Sequence, residues 1–156
     1  MKARVGVLTR KGREVKVRQG KGCCGALNTN AGDLENERAM ARTKIEEVMG
    51  DGEERRITSS AGCGSSMKEY GELLKDDPEY RAKAARSSEM TEDVTEFLVG
   101  LPFQAPTATV NRKVTFQDPC HLAHAQRITA RPRTLLNPIP AAAPLALATS
   151  PPSSSP

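Results

Sequence analysis

The segment Gly22-Cys23-Cys24-Gly25-Ala26-Leu27 places two thiols side by side between glycines. Neighbouring cysteines rarely bond to each other, because that ring strains the peptide between them. They are also a poor pair for one tetrahedral zinc ion, whose paired cysteines are normally a few residues apart. The flanking glycines permit close backbone approach and positive φ. The pair therefore indicates either two ligands facing a larger soft centre, such as an iron–sulfur cluster, or two buried small apolar side chains.

The composition predicts a cytoplasmic domain of ordinary size with a thin core. The chain has 156 residues, 37% of them apolar, and no tryptophan. The apolar run at 5–8 is too short for a secretory signal, and no run approaches the roughly 18 apolar residues of a membrane span. Four cysteines in a cytosolic chain favour metal or redox chemistry over disulfides. Peripheral attachment at the inner face of the membrane, through a partner, is left open.

Positive charge is concentrated at the N-terminus, where residues 1–22 hold eight Lys or Arg residues against the single acidic residue Glu14. A solvated terminal face is the favoured explanation, and an acidic partner is the alternative. We expect no nucleic-acid partner, because aromatic stacking platforms are scarce and no nucleic-acid-binding signature is found. A basic binding module, stabilised by zinc or free of metal, is the alternative to a redox role.

The other two cysteines lie at comparable turns. Cys63 follows a predicted strand at 56–60, and Cys120 follows one at 113–117, where Asp118-Pro119 is typical of a helix start. Further candidate strands are 4–9 and 14–18. Because parallel strands end at one edge of a sheet, these loops are expected to converge there. The predicted fold is α/β, a Rossmann-like three-layer unit with a short, mostly parallel sheet of three or four strands.

Helix signals are clear in the middle of the chain. Asp33 is a predicted N-cap, and the spacing of the apolar residues that follow predicts one buried helix face. Asp77-Pro78 predicts a further helix start. The expected buried residues are Leu34, Ala41, Ile45 and Val48 on the helix capped by Asp33, and Met67, Tyr70 and Leu74 on the helix that follows Cys63.

Three chemistries compete for the cysteines. An iron–sulfur site would use thiolates from the three loops. Zinc has enough donors, although no C-x-x-C pair is present. A thiol catalyst would pair Cys120 with His121 or His124, but no orienting acid can be assigned. The zinc donors would come from Cys23, Cys24, Cys63, Cys120, His121 and His124.

Four strings give the chain a family resemblance: GKGCCGAL at 20–27, SSAGCGSSMKEYGELL at 59–74, FQDPCHLAHAQRI at 116–128 and RPRTLLNPIP at 131–140. In their order and approximate spacing they resemble the cysteine-rich (CCG) region of the glycolate oxidase iron–sulfur subunit, over roughly residues 14–140. The resemblance implies α/β repeats whose cysteines bind an iron–sulfur cluster of the 4Fe–4S type. It also implies a flavin-containing partner subunit that oxidises glycolate and passes on electrons.

Carried over residue by residue, the resemblance assigns cluster binding to Cys23, Cys24 and Cys63 in the first repeat and to Cys120 in the second. It implies no catalytic residue, so the chain is not expected to oxidise glycolate alone. The family's ferredoxin-like motifs, its leading cysteine and its second CCG are not found in this sequence. We therefore expect an incomplete CCG-type domain at 1–137 and a disordered tail, rich in Ala, Pro and Ser, at 138–156.

Overall fold

The computed structural model describes residues 2–17, 22–49, 52–102, 106–110, 115–140 and 146–147. Helices predominate among them, with short strands between. In chain order the elements are α1 (Lys2–Arg10), α2 (Ala26–Asn30), α3 (Leu34–Met49), β1 (Arg56–Thr58), α4 (Ala61–Lys68), α5 (Tyr70–Leu73), α6 (Arg81–Met90), β2 (Thr91–Asp93), α7 (Val94–Val99), β3 (Thr115–Phe116), a π-helix (His121–Ala125), α8 (Ala130–Leu136) and β4 (Ala146–Leu147).

The predicted α/β class is confirmed, and the strands are short. Strands β3 and β4 form a parallel pair, with Thr115 opposite Ala146 and Phe116 opposite Leu147. Strands β1 and β2 form a second pair. The strands that the structure describes thus lie in two two-stranded sheets, whereas one sheet of three or four strands was expected. Each strand has only two or three residues, which limits the ladder hydrogen bonds available to join them.

Of the two candidate strands near the N-terminus, the one at 4–9 is wrong, because that segment lies within helix α1. The helix buries Leu8, leaves Val7 44% exposed, and forms despite the β-propensity of the valines. The other candidate strand was at 14–18. Residues 14–17 have no regular secondary structure, and Arg18 lies outside the described residues. The predicted strand at 113–117 is found at 115–116, and residues 113–114 lie outside the described part.

The chain divides into two compact units. Unit 1 comprises Met1–Arg56 and Ser66–Thr91, and unit 2 comprises Ile57–Ser65 and Glu92–Pro156. Cys23 and Cys24 belong to unit 1, and Cys63 and Cys120 belong to unit 2. Most of the predicted tail lies outside the described residues, so the proposed boundary near residue 138 stays a prediction. Within the described ranges, no helix combines the length and the apolar character needed to cross a membrane.

Unit 1 is built on α3, which the sequence predicted well. The Asp33 carboxylate accepts a hydrogen bond from the Asn36 amide at 3.3 Å, as expected of an N-cap. Ala41, Ile45 and Val48 are buried as predicted, whereas Leu34 is 46% exposed. Leu34 is the first residue of the helix, and its side chain therefore has no preceding helical turn to cover it.

Helices α5 and α6 pack closely in unit 1. The close approach occurs at Gly71, where an added Cβ would lie 3.2 Å from the Cα of Ala85. The Gly71 amide also donates to the Ser88 hydroxyl at 2.9 Å. Met67, Tyr70 and Leu74 are buried, which confirms the predicted inner side of this segment. The resulting core holds the loop that carries Cys23 and Cys24.

Asp77 joins two helices of unit 1. Its carboxylate accepts from the Glu79 and Tyr80 amides, both at 3.0 Å, and from the Arg42 guanidinium of α3 at 2.9 Å. The predicted cap is thus present, although α6 begins at Arg81, three residues after the expected Pro78. The hydrogen bond from the Tyr80 amide lowers the pKa of Asp77 from its usual 3.8, and the hydrogen bond from Arg42 makes the next largest contribution.

We expect Asp77→Asn to weaken the acid dependence of thermal stability. Because the folded-state pKa is depressed, ionised Asp77 stabilises the fold above its unfolded pKa of 3.8. That contribution is lost as the pH falls through the lower, folded-state pKa. Melting temperatures measured from about pH 6 to about pH 2 should therefore converge for the two chains at the acid end. Asp76→Asn, next to it in sequence, is the control for the loss of one negative charge. Parallel curves for Asp77→Asn would contradict the prediction.

Candidate functional site

The loop 22–25 presents its two thiols in different surroundings. Cys23 is exposed, and its sulfur accepts a hydrogen bond from the Gly25 amide at 3.5 Å. Cys24 is 6% exposed and belongs to the core of unit 1. The sequence left open whether the pair faces a ligand or is buried, and the structure gives a different answer for each residue. One thiol is accessible, and the other is enclosed.

Gly25 ends the loop and starts helix α2 in a left-handed conformation, with φ of 87°. Its carbonyl accepts the first hydrogen bond of the helix, from the Asn28 amide at 2.8 Å. Gly25 thus uses the positive φ that a flanking glycine permits. A Cβ at this position would lie 3.1 Å from Cγ of Glu37, which is buried against the loop. Glycine is required here for conformation and for space.

The backbone of Cys24 is held by two hydroxyl groups that sequence reasoning did not single out as functional. Tyr70 donates to the Cys24 carbonyl at 2.7 Å, and Ser66 donates to the same oxygen at 3.3 Å. Tyr70 is fully buried. These contacts join residues 42 and 46 positions apart, so no local pattern could have revealed them. They fix the loop to the helical segment that follows Cys63 in sequence.

A cleft of about 340 Å³ opens beside Cys23 in unit 1. Part of its lining comes from α3, where the Lys44 ammonium pairs with the Glu47 carboxylate at 2.6 Å. Its size lies at the lower end of the range for small-molecule sites. The lining residues are Gly22, Cys23, Asn36, Ala39, Met40, Thr43, Lys44 and Glu47.

Cys63 lies in the first turn of α4, in unit 2, and is half-buried. The start of this helix is fixed by Gln126, whose amide donates to the Ala61 carbonyl at 2.8 Å. Gly64 allows this contact, because a Cβ there would lie 2.9 Å from the Gln126 amide nitrogen and 2.9 Å from the Thr58 methyl. Gln126 was not identified from the sequence, since its contact spans 65 positions.

The two glycines that flank Cys63 are expected to respond to alanine with opposite signs. Gly62→Ala should stabilise the chain by roughly 0.5 kcal/mol, because its Cβ would meet nothing within 4 Å and alanine favours the helix. Gly64→Ala should destabilise it by about 1 kcal/mol, because Thr58 and Gln126 must give way. Urea unfolding followed by circular dichroism measures both changes. Equal effects of the same sign would contradict this account.

Cys120 lies at the start of the π-helix in unit 2 and is exposed. Its sulfur is 3.4 Å from Nδ1 of His121, so the predicted neighbour of this thiol is His121. The predicted helix start is confirmed, but the helix is of the π type, with the Gln126 amide donating to the His121 carbonyl at 3.0 Å. Such turns are rare and are frequently found at functional sites.

Asp118 anchors the segment that carries Cys120. The Arg133 guanidinium donates two hydrogen bonds to its carboxylate, at 2.7 and 2.6 Å. Hydrogen bonding from Arg133 lowers the pKa of Asp118 and raises that of Arg133. The Phe116 ring lies 5.5 Å from the same guanidinium. The bidentate pair makes Asp118 a structural residue, although the sequence suggested only a helix cap.

The four cysteines are suited to iron–sulfur chemistry by type, because thiolate is the ligand such clusters prefer. All four are thiols, without a disulfide between them. Within the ranges that the structure describes, however, no three Cys, His, Asp or Glu side chains are grouped so as to hold a metal ion. The two pairs of cysteines belong to different units. The cluster-ligand set Cys23, Cys24, Cys63 and Cys120 therefore stays a prediction.

The first part of the chain matches a known protein family. Residues 1–68 match the family model described as "CCG: Cysteine-rich domain". This match includes Cys23, Cys24 and Cys63. It extends the region of resemblance inferred from the sequence strings back to residue 1. Residues 1–68 are thus similar to the CCG cysteine-rich domain, and no solved structure matches the chain.

Three individual relatives are similar to this chain over most of its length. The chain is 34% identical over 133 residues to the "Glycolate oxidase iron-sulfur subunit" of Escherichia coli (strain K12), covering 83% of this chain and 33% of the relative. It is 34% identical over 119 residues to the "Probable glycolate oxidase iron-sulfur subunit" of Bacillus subtilis (strain 168), covering 75% and 27%. It is 32% identical over 136 residues to "Lactate utilization protein A" of Bacillus licheniformis, covering 86% and 56%.

These matches confirm the resemblance predicted from the sequence strings. They also show that the chain spans about a third or less of the glycolate oxidase subunits and 56% of the lactate utilization protein. The similarity is thus to one region of longer proteins.

Proposed function

We propose that this chain is the cysteine-rich region of an iron–sulfur electron-transfer subunit, in an oxidoreductase complex that acts on glycolate or a related 2-hydroxy acid. The match of residues 1–68 to the cysteine-rich family supports this proposal most strongly, because three of the four cysteines lie within it. The names of the relatives supply the assignment to an iron–sulfur subunit. The exposed Cys23 beside an open cleft is consistent with a donor that meets an incoming group.

In this proposal Cys23, Cys24, Cys63 and Cys120 hold an iron–sulfur cluster of the 4Fe–4S type, which supplies one-electron transfer. The chain itself contributes no catalytic residue. A flavin-containing partner subunit oxidises the hydroxy acid and passes the electrons on. The chain acts in the cytoplasm. A membrane-attached partner subunit would hold it at the inner face of the membrane.

The proposal is tested by measuring iron, acid-labile sulfide and zinc per chain, with the visible spectrum, after anaerobic purification and reconstitution. Iron and sulfide at cluster stoichiometry, strongly reduced in Cys23→Ser and Cys24→Ser, are the expected result. Met40→Leu is the matched control, because Met40 lines the same cleft with a thioether and should leave the iron content unchanged.

Two results would overturn the proposal. One is a folded chain that takes up neither iron nor sulfide. The other is about one zinc ion per chain without sulfide, together with unfolding by a chelator, which would indicate the zinc-stabilised module instead.

A further inference from the structure

The two adjacent thiols differ in access because of how the intervening backbone is held. Cys23 is exposed beside the cleft, whereas Cys24 is 6% exposed. A dipeptide with both side chains free to turn would not keep them in such different surroundings. The constraint acts on the backbone carbonyl of Cys24, which accepts from Tyr70 at 2.7 Å and from Ser66 at 3.3 Å.

The two donors form a rigid anchor. Tyr70 is the first residue of α5 and is fully buried, and Ser66 is a buried residue of α4. Because both lie within unit 1 with Cys24, the anchor belongs to a single compact unit. A buried carbonyl that loses a donor of this kind bears a desolvation penalty, so the chain resists turning Cys24 outward. On the other side of the loop, Glu37 packs against Gly25.

We infer that Tyr70 and Ser66 are positioning residues, which hold Cys24 inside unit 1 and leave Cys23 as the thiol that first meets an external ligand. This inference rests on the proposed function in one respect, namely that the two thiols are the donors. It adds an order to their use: Cys23 binds first, and Cys24 follows only when its carbonyl is released from the two hydroxyl groups.

The test measures the alkylation rate of each cysteine in the full chain without metal, using iodoacetamide as the probe. Fragment ions in tandem mass spectrometry separate Cys23 from Cys24. In the parent chain Cys23 should react at least about tenfold faster than Cys24. Tyr70→Phe should raise the Cys24 rate roughly fivefold, which corresponds to the loss of one net hydrogen bond. Ser66→Ala, with its longer contact, should raise it about twofold.

Matched controls separate positioning from general loosening. The chain has two tyrosines, and Tyr80→Phe should leave the Cys24 rate unchanged, because Tyr80 lies beside Arg42 and Lys83. In Tyr70→Phe the rates of Cys63 and Cys120, which belong to unit 2, should also stay unchanged. A merely structural role of Tyr70, acting through unfolding of the chain, would accelerate the half-buried Cys63 along with Cys24. If Tyr70→Phe fails to fold, Ser66→Ala carries the test alone.

Three results would overturn the inference: equal rates for Cys23 and Cys24 in the parent chain, an unchanged Cys24 rate in both variants, or an equal rise at Cys24 and at the half-buried Cys63. The assay contains no iron, so its outcome is independent of the iron and sulfide measurement. A chain that binds no cluster but shows the expected labelling would retain the positioning role and lose the proposed function. A chain that binds a cluster but does not show the expected labelling would retain the proposed function and lose the positioning role.

Discussion

Ile45→Ala should lower the free energy of unfolding by about 3 kcal/mol. Ile45 is fully buried in the middle of α3, between the buried residues Ala41 and Val48. Removing three carbon atoms there loses their transfer free energy and leaves a cavity, since helices α2 and α6 pack on α3 and limit its collapse. Urea unfolding followed by tyrosine fluorescence suits this measurement, because both tyrosines lie in unit 1 and the chain has no tryptophan.

Leu34→Ala is the matched control for Ile45→Ala. It also shortens an aliphatic side chain on α3, but Leu34 is 46% exposed at the first position of the helix. Its expected effect is below about 0.5 kcal/mol. Similar losses in the two variants would show that the buried face of α3 extends to Leu34, as the sequence periodicity alone had indicated, and would contradict the structure.

The contrast between Ile45 and Leu34 shows how far the sequence could predict the fold. Local signals succeeded where the physics is local. Asp33 caps α3, Asp77 accepts the amides that follow it, and Met67, Tyr70 and Leu74 are buried. Periodicity identifies the face of a helix, but it does not show how far neighbouring elements cover that face. Leu34, the first residue of α3, was therefore predicted to be buried although it is exposed.

The error at the N-terminus has a related cause. The run Val5–Leu8 satisfies the pattern of a short strand, and valine favours strands, but the segment forms helix α1. A short apolar run cannot distinguish a strand from a helix by periodicity alone. In the helix Leu8 is buried and Val7 is 44% exposed, a difference that the four-residue run does not indicate.

The candidate site was predictable in its residue types and only partly in its arrangement. The adjacent thiols and the flanking glycines were evident from the sequence, and glycine permits the positive φ that Gly25 adopts. The anchoring of Cys24 by Tyr70, and of the Ala61 carbonyl by Gln126, could not be predicted. Each spans more than forty positions and depends on tertiary packing, for which a single sequence carries no periodic signal.

Gly25→Ala is the second large effect that we expect, with a loss of about 2–3 kcal/mol in the free energy of unfolding of the chain. Two costs add at this position. The φ of 87° places an alanine in the left-handed region, which costs about 1–2 kcal/mol. The new Cβ would also lie 3.1 Å from Cγ and 3.4 Å from Cα of Glu37. Glu37 is 4% exposed, and its carboxylate accepts from Thr29, so it has little freedom to move.

Gly32→Ala separates these two costs. Gly32 lies in the turn between α2 and α3 with φ of 75°, and a Cβ there would meet nothing within 4 Å. It therefore carries the conformational cost alone and should lose only about 1 kcal/mol. Tyrosine fluorescence during urea unfolding again reports on unit 1, which contains both glycines. Equal losses in the two variants would mean that contact with Glu37 contributes nothing. A larger loss at Gly25 would show that the packing of α3 against the Cys23-Cys24 loop, and not its backbone conformation alone, requires a glycine directly after the two thiols.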